Sequence, residues 1–139
     1  MDKQQILDFI KKHDLMVISS ANEKSEPEAA VVGFGENDTF ELIFGTSNLS
    51  RKYKNLVSNS KVAVVIGWDE GKTVQYEGLA RELVGEECEA FKKIYFAKNP
   101  DAKKYENEPD EVYFKIAPRW LRYTDLTQDP WELVEISEF

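Results

Sequence analysis

At 139 residues the chain has the length of one ordinary domain, able to bury a core without disulfides or metals, and we expect a single domain over residues 1–139. With 42% hydrophobic and 12% aromatic residues its composition is globular, and no apolar run is long enough to span a bilayer or form a signal-peptide core, which predicts a soluble, cytoplasmic protein. A net charge of -8, from 26 acidic against 18 basic residues, repels nucleic acid and anionic membrane, so any anionic ligand must be held by a local cluster.

Asp2 and Gln5 form a capping-box pattern, and Ile6, Leu7, Phe9 and Ile10 recur at helical spacing, which predicts a first helix over about residues 3–13. His13, the only histidine, falls at its end, where a cation suits the helix dipole. Leu15 to Ser20 reads as a strand, Asn22 to Glu26 as a polar turn ending at Pro27, and Glu28 to Phe34 as a second strand. Gly35 to Asp38 then turns the chain into a strand over Thr39 to Gly45, with Phe40, Leu42 and Phe44 on one face. These three strands read as an antiparallel meander.

The next helix opens behind Thr46, Ser47, Asn48 and Ser50 and carries Arg51, Lys52 and Lys54 in its first turns, while Leu49, Tyr53 and Leu56 mark its buried stripe. A basic surface helix is ordinarily just solvated. Here the cations stand at the end where the macrodipole opposes them, and one hydroxyl is enough to cap a helix. Cations, hydroxyls and free backbone N–H groups together make the chemistry of a phosphate site.

Lys61 to Trp68 is a continuous apolar run, the pattern of a strand covered on both faces. Asp69 to Lys72 signals a hairpin, and Gly78 in the middle of the long strand Thr73 to Val84 predicts a bulge or barrel corner. Ala90, Phe91, Ile94 and Tyr95 mark a helix over about residues 86–97, with Cys88, the only cysteine, as a small buried or half-buried side chain within it. One cysteine and one histidine leave no metal site of the Cys/His kind and no internal disulfide. Asn99 to Pro109 reads as the one long loop, Glu111 to Ala117 and Arg119 to Leu126 as strands broken at Pro118, and Trp131 to Ile136 as the last strand. About seven or eight strands with two or three flanking helices predict an α+β, mainly β protein built on an antiparallel barrel.

The segment FGTSNLSRKYKNLVSNSKVAVVIGW, extended by YEGLAREL at 76–83, resembles the pyridoxamine 5'-phosphate oxidase-like, FMN-binding split β-barrel family, and the order of elements matches over about residues 3–126. The resemblance implies a homodimer with FMN in clefts at the subunit interface. It assigns Thr46, Ser47, Ser50, Arg51 and Lys52 to the flavin or its phosphate, and the backbone of Val31, Val32 and Gly33 to the edge of the ring. Gln75 is a candidate contributed by the partner subunit, Trp120, between Arg119 and Arg122, a candidate for a flavin or substrate edge, and Asn55 a further amide within reach. Packing in the core or at an interface is the plain alternative for Trp68, Trp120 and Trp131.

The implied activity is FMN-dependent hydride or electron transfer on a small substrate, with no catalytic side chain assigned. The family's founding enzyme ends in an arginine-rich segment with an Arg-Leu-x-Pro-like motif, whereas this chain ends PWELVEISEF, which speaks against oxidation of vitamin B6 itself. The alternatives are a flavin-binding or stress-associated module without turnover, or a relative that takes a deazaflavin or haem.

Overall fold

Alternating apolar and polar residues build one eight-stranded antiparallel sheet in the computed structural model, which describes residues Met1–Phe139. Its strands are β1 (Leu15–Ala21), β2 (Pro27–Gly33), β3 (Gly35–Glu36), β4 (Leu42–Ser47), β5 (Lys61–Ile66), β6 (Lys72–Glu82), β7 (Glu111–Asp125) and β8 (Glu132–Ile136). The helices are α1 (Lys3–Lys11), α2 (Arg51–Ser58) and α3 (Gly85–Lys98). The strands run in the order β2-β1-β5-β6-β7-β4-β3, with β8 on the second half of β7. Strands β2 and β3 stand at opposite ends of that order yet are joined through Phe34 alone, so the sheet curls until its two edges nearly meet. This is a split barrel.

Inside it lie Met16, Ile18, Phe34, Phe44, Ile66, Tyr76, Phe114 and Tyr123, all buried. Each such side chain contributes roughly 1.5–3 kcal/mol by leaving water. The Asp2–Gln5 capping box is formed, and α1 lays Ile6, Leu7, Phe9 and Ile10 into the same core. Helix α3 covers the barrel from outside, where Ile43, Leu83, Tyr95 and Tyr113 form a second apolar cluster, and Cys88 is half-buried against it.

Several expectations change. The first three strands are no meander, because β4 leaves β2 and pairs with β3 and the start of β7 at the far edge of the sheet. The turn after Gly33 contains the short β3, and the loop over residues 99–109 contains a 3-10 helix, Pro100–Tyr105. Strand β7 is not broken at Pro118. The register shifts there, with Glu77 opposite Trp120 and Gly78 opposite Pro118, so Arg119 is the extra residue of a bulge that tolerates a proline. Gly78 is required in this bulge, since a Cβ would stand 2.4 Å from the Ala117 carbonyl oxygen. The bulge itself was legible in the glycine.

Strand β5 is covered on one face only. Val62, Val64 and Ile66 point into the core, Ala63 is exposed, and the strand ends before Gly67, whose φ of 78° leaves Trp68 outside. Trp131 is likewise exposed, so neither tryptophan packs in the core of this chain. Register places Val31, Val17, Val65 and Gln75 in one row across the outer face of β2, β1, β5 and β6. That face carries small apolar side chains without a covering element, and Val31 is 59% exposed on it.

Candidate phosphate cradle at the start of α2

The end of β4 delivers Thr46 to the first turn of α2. Ser50 is the N-cap, with extended backbone (φ -76°, ψ 157°), and its Oγ accepts the Tyr53 N–H at 3.2 Å. Thr46 Oγ1 lies 3.1 Å from Ser50 Oγ, so two hydroxyls share the helix start. Arg51 follows, its side chain 75% exposed and Nη1 3.3 Å from Glu28 Oε2. Lys52 is half-buried and makes no ion pair. Burial, and after it the Arg51 charge, push its ammonium below the usual lysine range. A cation in that state gains most from an anion brought by a ligand.

On its other side the same turn is acidic. The Ser47 hydroxyl donates to Asp110 Oδ2 at 2.5 Å, and the Asn48 N–H donates to the Asp110 carbonyl at 2.8 Å. Burial, then the Asp110 and Glu108 charges, push the Glu111 carboxyl up. The hydrogen of Ser47 is therefore engaged by a carboxylate, while its oxygen accepts the Leu49 N–H at 3.0 Å and its carbonyl accepts the Ser50 N–H at 3.1 Å. Asn55 is not a surface amide. It is 4% exposed, and Nδ2 donates to Ser20 Oγ at 3.0 Å and to Glu28 Oε1 at 2.9 Å.

Strand β2 is the edge of the sheet, so one row of its backbone N–H and C=O groups over Val31, Val32 and Gly33 has no strand partner. Val32 turns its side chain to the core, and Gly33 lies beside Asn99 and Tyr95 at the end of α3. Gln75 is exposed on β6 and Trp120 half-buried on β7, where Arg122 stacks 5.4 Å from the indole. Within one chain neither is brought to α2. His13 lies elsewhere again, its Nδ1 2.8 Å from the Phe9 carbonyl oxygen and its ring 4.6 Å from that of Phe9.

Sequence reading missed Glu28 and Ser20 beneath the helix. The signal was available in principle, since a hairpin about the turn at Asn22–Glu26 pairs Ser20 with Glu28, as β1 and β2 do.

An antiparallel sheet curled into a split barrel, with a hydroxyl-and-cation turn between a barrel strand and a helix, places the chain among the small split-barrel proteins. The sequence pattern of the pyridoxamine 5'-phosphate oxidase family matches residues 2–125, and the chain belongs to that family. Among solved structures, General Stress Protein 26 from Bacillus anthracis str. Sterne is 25% identical, with a TM-score of 0.73 over 96% of this chain and 98% of that one. A pyridoxamine 5'-phosphate oxidase-like protein from Listeria innocua is also 25% identical, with a TM-score of 0.72 over 86% of this chain and 95% of that one. A haem-binding protein from Mycobacterium smegmatis shares the fold at 15% identity, with a TM-score of 0.78 over 90% of this chain. The chain spans only 53% of that protein's length. No match was found among curated proteins.

Proposed function

We propose that the chain is an FMN-binding flavoprotein that folds as one domain and works as a homodimer. Thr46, Ser50, Arg51 and Lys52 hold the phosphate. The free backbone edge of β2 at Val31, Val32 and Gly33 follows the ring, and Gln75 and Trp120 are contributed by the second copy. The observation that carries this reading is Lys52, a half-buried ammonium without a carboxylate at a hydroxyl-capped helix start. The uncovered outer face of β2, β1, β5 and β6, which bears Gln75, favours a second copy on the same ground, because exposed apolar patches of this kind are association surfaces.

Bound FMN supplies hydride or electron transfer at its ring, and the protein's part is to hold and orient it. The acidic segment around β8 pairs with β7 and offers no second phosphate site, so a substrate other than a vitamin B6 phosphate is favoured. Haem-binding neighbours raise haem as the alternative. The single histidine is packed on Phe9 and bonded to its carbonyl, outside the cradle, which favours flavin.

The test is the visible spectrum of the purified protein with and without added FMN. A flavin spectrum and binding at about micromolar concentration are expected, and no binding at that level removes the reading. Bleaching of the bound flavin under anaerobic NADH or NADPH separates an oxidoreductase from a binding module.

A further inference from the structure

We infer that Glu28 is a positioning residue that holds Arg51 for the ligand phosphate, through a bracket formed with Asn55 and Ser20. This rests on the phosphate-cradle reading above and adds a residue that the sequence motif does not contain. Glu28 stands on β2 opposite Ser20 on β1, so both side chains share the face beneath α2. Its side chain is 20% exposed, and each carboxylate oxygen has its own partner. Oε1 accepts from Asn55 Nδ2 at 2.9 Å and Oε2 faces Arg51 Nη1 at 3.3 Å. Asn55, one turn beyond Arg51 on the same helix, is fixed in turn by Ser20 at 3.0 Å.

A carboxylate this close to an anion site is unfavourable by charge alone, and the other two cations of the turn, Lys52 and Lys54, are left without one. What the carboxylate provides is geometry. A guanidinium has five N–H donors in a rigid fork, and one tied back through Nη1 keeps the others free to meet a phosphate. Arg51 is 75% exposed, so without this tie its long side chain is ordered only by the ligand, at a cost in entropy.

Charge and geometry predict opposite signs. Removing a negative charge beside the site strengthens FMN binding if Glu28 acts only through its field, and weakens it if Glu28 positions Arg51. The experiment is a fluorescence titration of FMN and of riboflavin, which lacks the phosphate, into wild type, Glu28→Gln, Arg51→Ala and the double variant. We expect Glu28→Gln to weaken FMN by about tenfold, to leave riboflavin unchanged, and to have no further effect in the Arg51→Ala background. A structural role alone lowers both flavins together. Equal or tighter FMN binding by Glu28→Gln overturns the inference while leaving the flavin reading intact, whereas a wild type that binds neither flavin overturns both. If Glu28→Gln does not fold, Glu28→Asp keeps the charge and withdraws the carboxylate by one methylene. FMN loss in that variant with riboflavin unchanged supports positioning, and unchanged FMN binding refutes it.

Discussion

Two regions of the molecule bury lysines and treat them differently. Around α3, each has a carboxylate. Lys98 meets Glu36, Lys115 meets Glu41 at 2.9 Å and Glu87 at 3.3 Å, and Lys92 meets Glu106 at 3.0 Å and Glu89 at 3.2 Å. At the start of α2, Lys52 is half-buried with no carboxylate in ion-pair contact, and the charge that acts on it, Arg51, is of the same sign. Burying a charge without a partner costs free energy that a fold ordinarily avoids. The three lysines packed around α3 each come with a counter-charge, and Lys52 does not; the phosphate reading proposed above supplies it with one.

The largest effect is expected where a partnered lysine is broken. Lys98→Met keeps much of the packing against Phe34, over whose ring the ammonium lies at 3.9 Å, but strands Glu36, whose side chain is 8% exposed. A loss of about 3 kcal/mol in chemical denaturation is expected, with FMN affinity unchanged once the protein is folded. Lys52→Glu is the mirror case. It removes an unpaired cation and places an anion at the helix N-terminus, so stability stays within about 0.5 kcal/mol of wild type or rises. FMN affinity falls roughly a hundredfold, read by the same flavin titration. A destabilised Lys52→Glu that still binds FMN would dissolve the contrast between the two regions.

Ser50 allows a finer separation, because capping and the proposed ligand contact share one hydroxyl. Ser50→Asp keeps an acceptor for the Tyr53 N–H and adds a charge that the helix dipole favours, so its melting temperature is held or raised. The same carboxylate faces the ligand phosphate and lowers FMN affinity by about tenfold or more. Ser50→Ala does the reverse, costing about 1 kcal/mol of stability with a smaller loss in binding. Thermal melts and flavin titrations on the two variants must therefore rank oppositely.

The capped, cationic start of α2 was more legible in the sequence than its surroundings. Ser50, Arg51 and Lys52 follow one another in the chain, and the pattern of a cap followed by a helix is local physics. The bulge at Gly78 could also be read, because a glycine inside a long strand has few other reasons to be there. The crossing of β4 to the far edge of the sheet could not, since residues 39–47 alternate in the same way whichever strand they pair with. For the same reason β5 looked covered on both faces. Its outer residues Ala63 and Val65 are apolar, but no element of the chain's own fold covers them. Glu28 and Ser20 escaped because each is unremarkable alone, and only the pairing of β1 with β2 under α2 turns them into a bracket with Asn55.

The smallest effect concerns the partnered region at low pH. The Arg81 guanidinium, bonded to Glu87 through two N–H groups, with Lys115 on the same carboxylate, holds the Glu87 carboxyl down at about 2, against an ordinary value of 4.5. The folded pKa lies below the unfolded one, so this contribution to stability is complete above the unfolded value. It is lost as pH falls from about 5 toward 2, because the unfolded chain takes up the proton first. Glu41, whose carboxyl is lowered despite burial by Asn37 and Lys115, adds to the same slope. Glu87→Gln is therefore expected to flatten the pH dependence of unfolding in that window and to leave FMN binding at neutral pH untouched. An acid slope unchanged by Glu87→Gln would mean that the ion network around α3 is only a solvated surface, and the half-buried Lys115 would then rest on Glu41 alone.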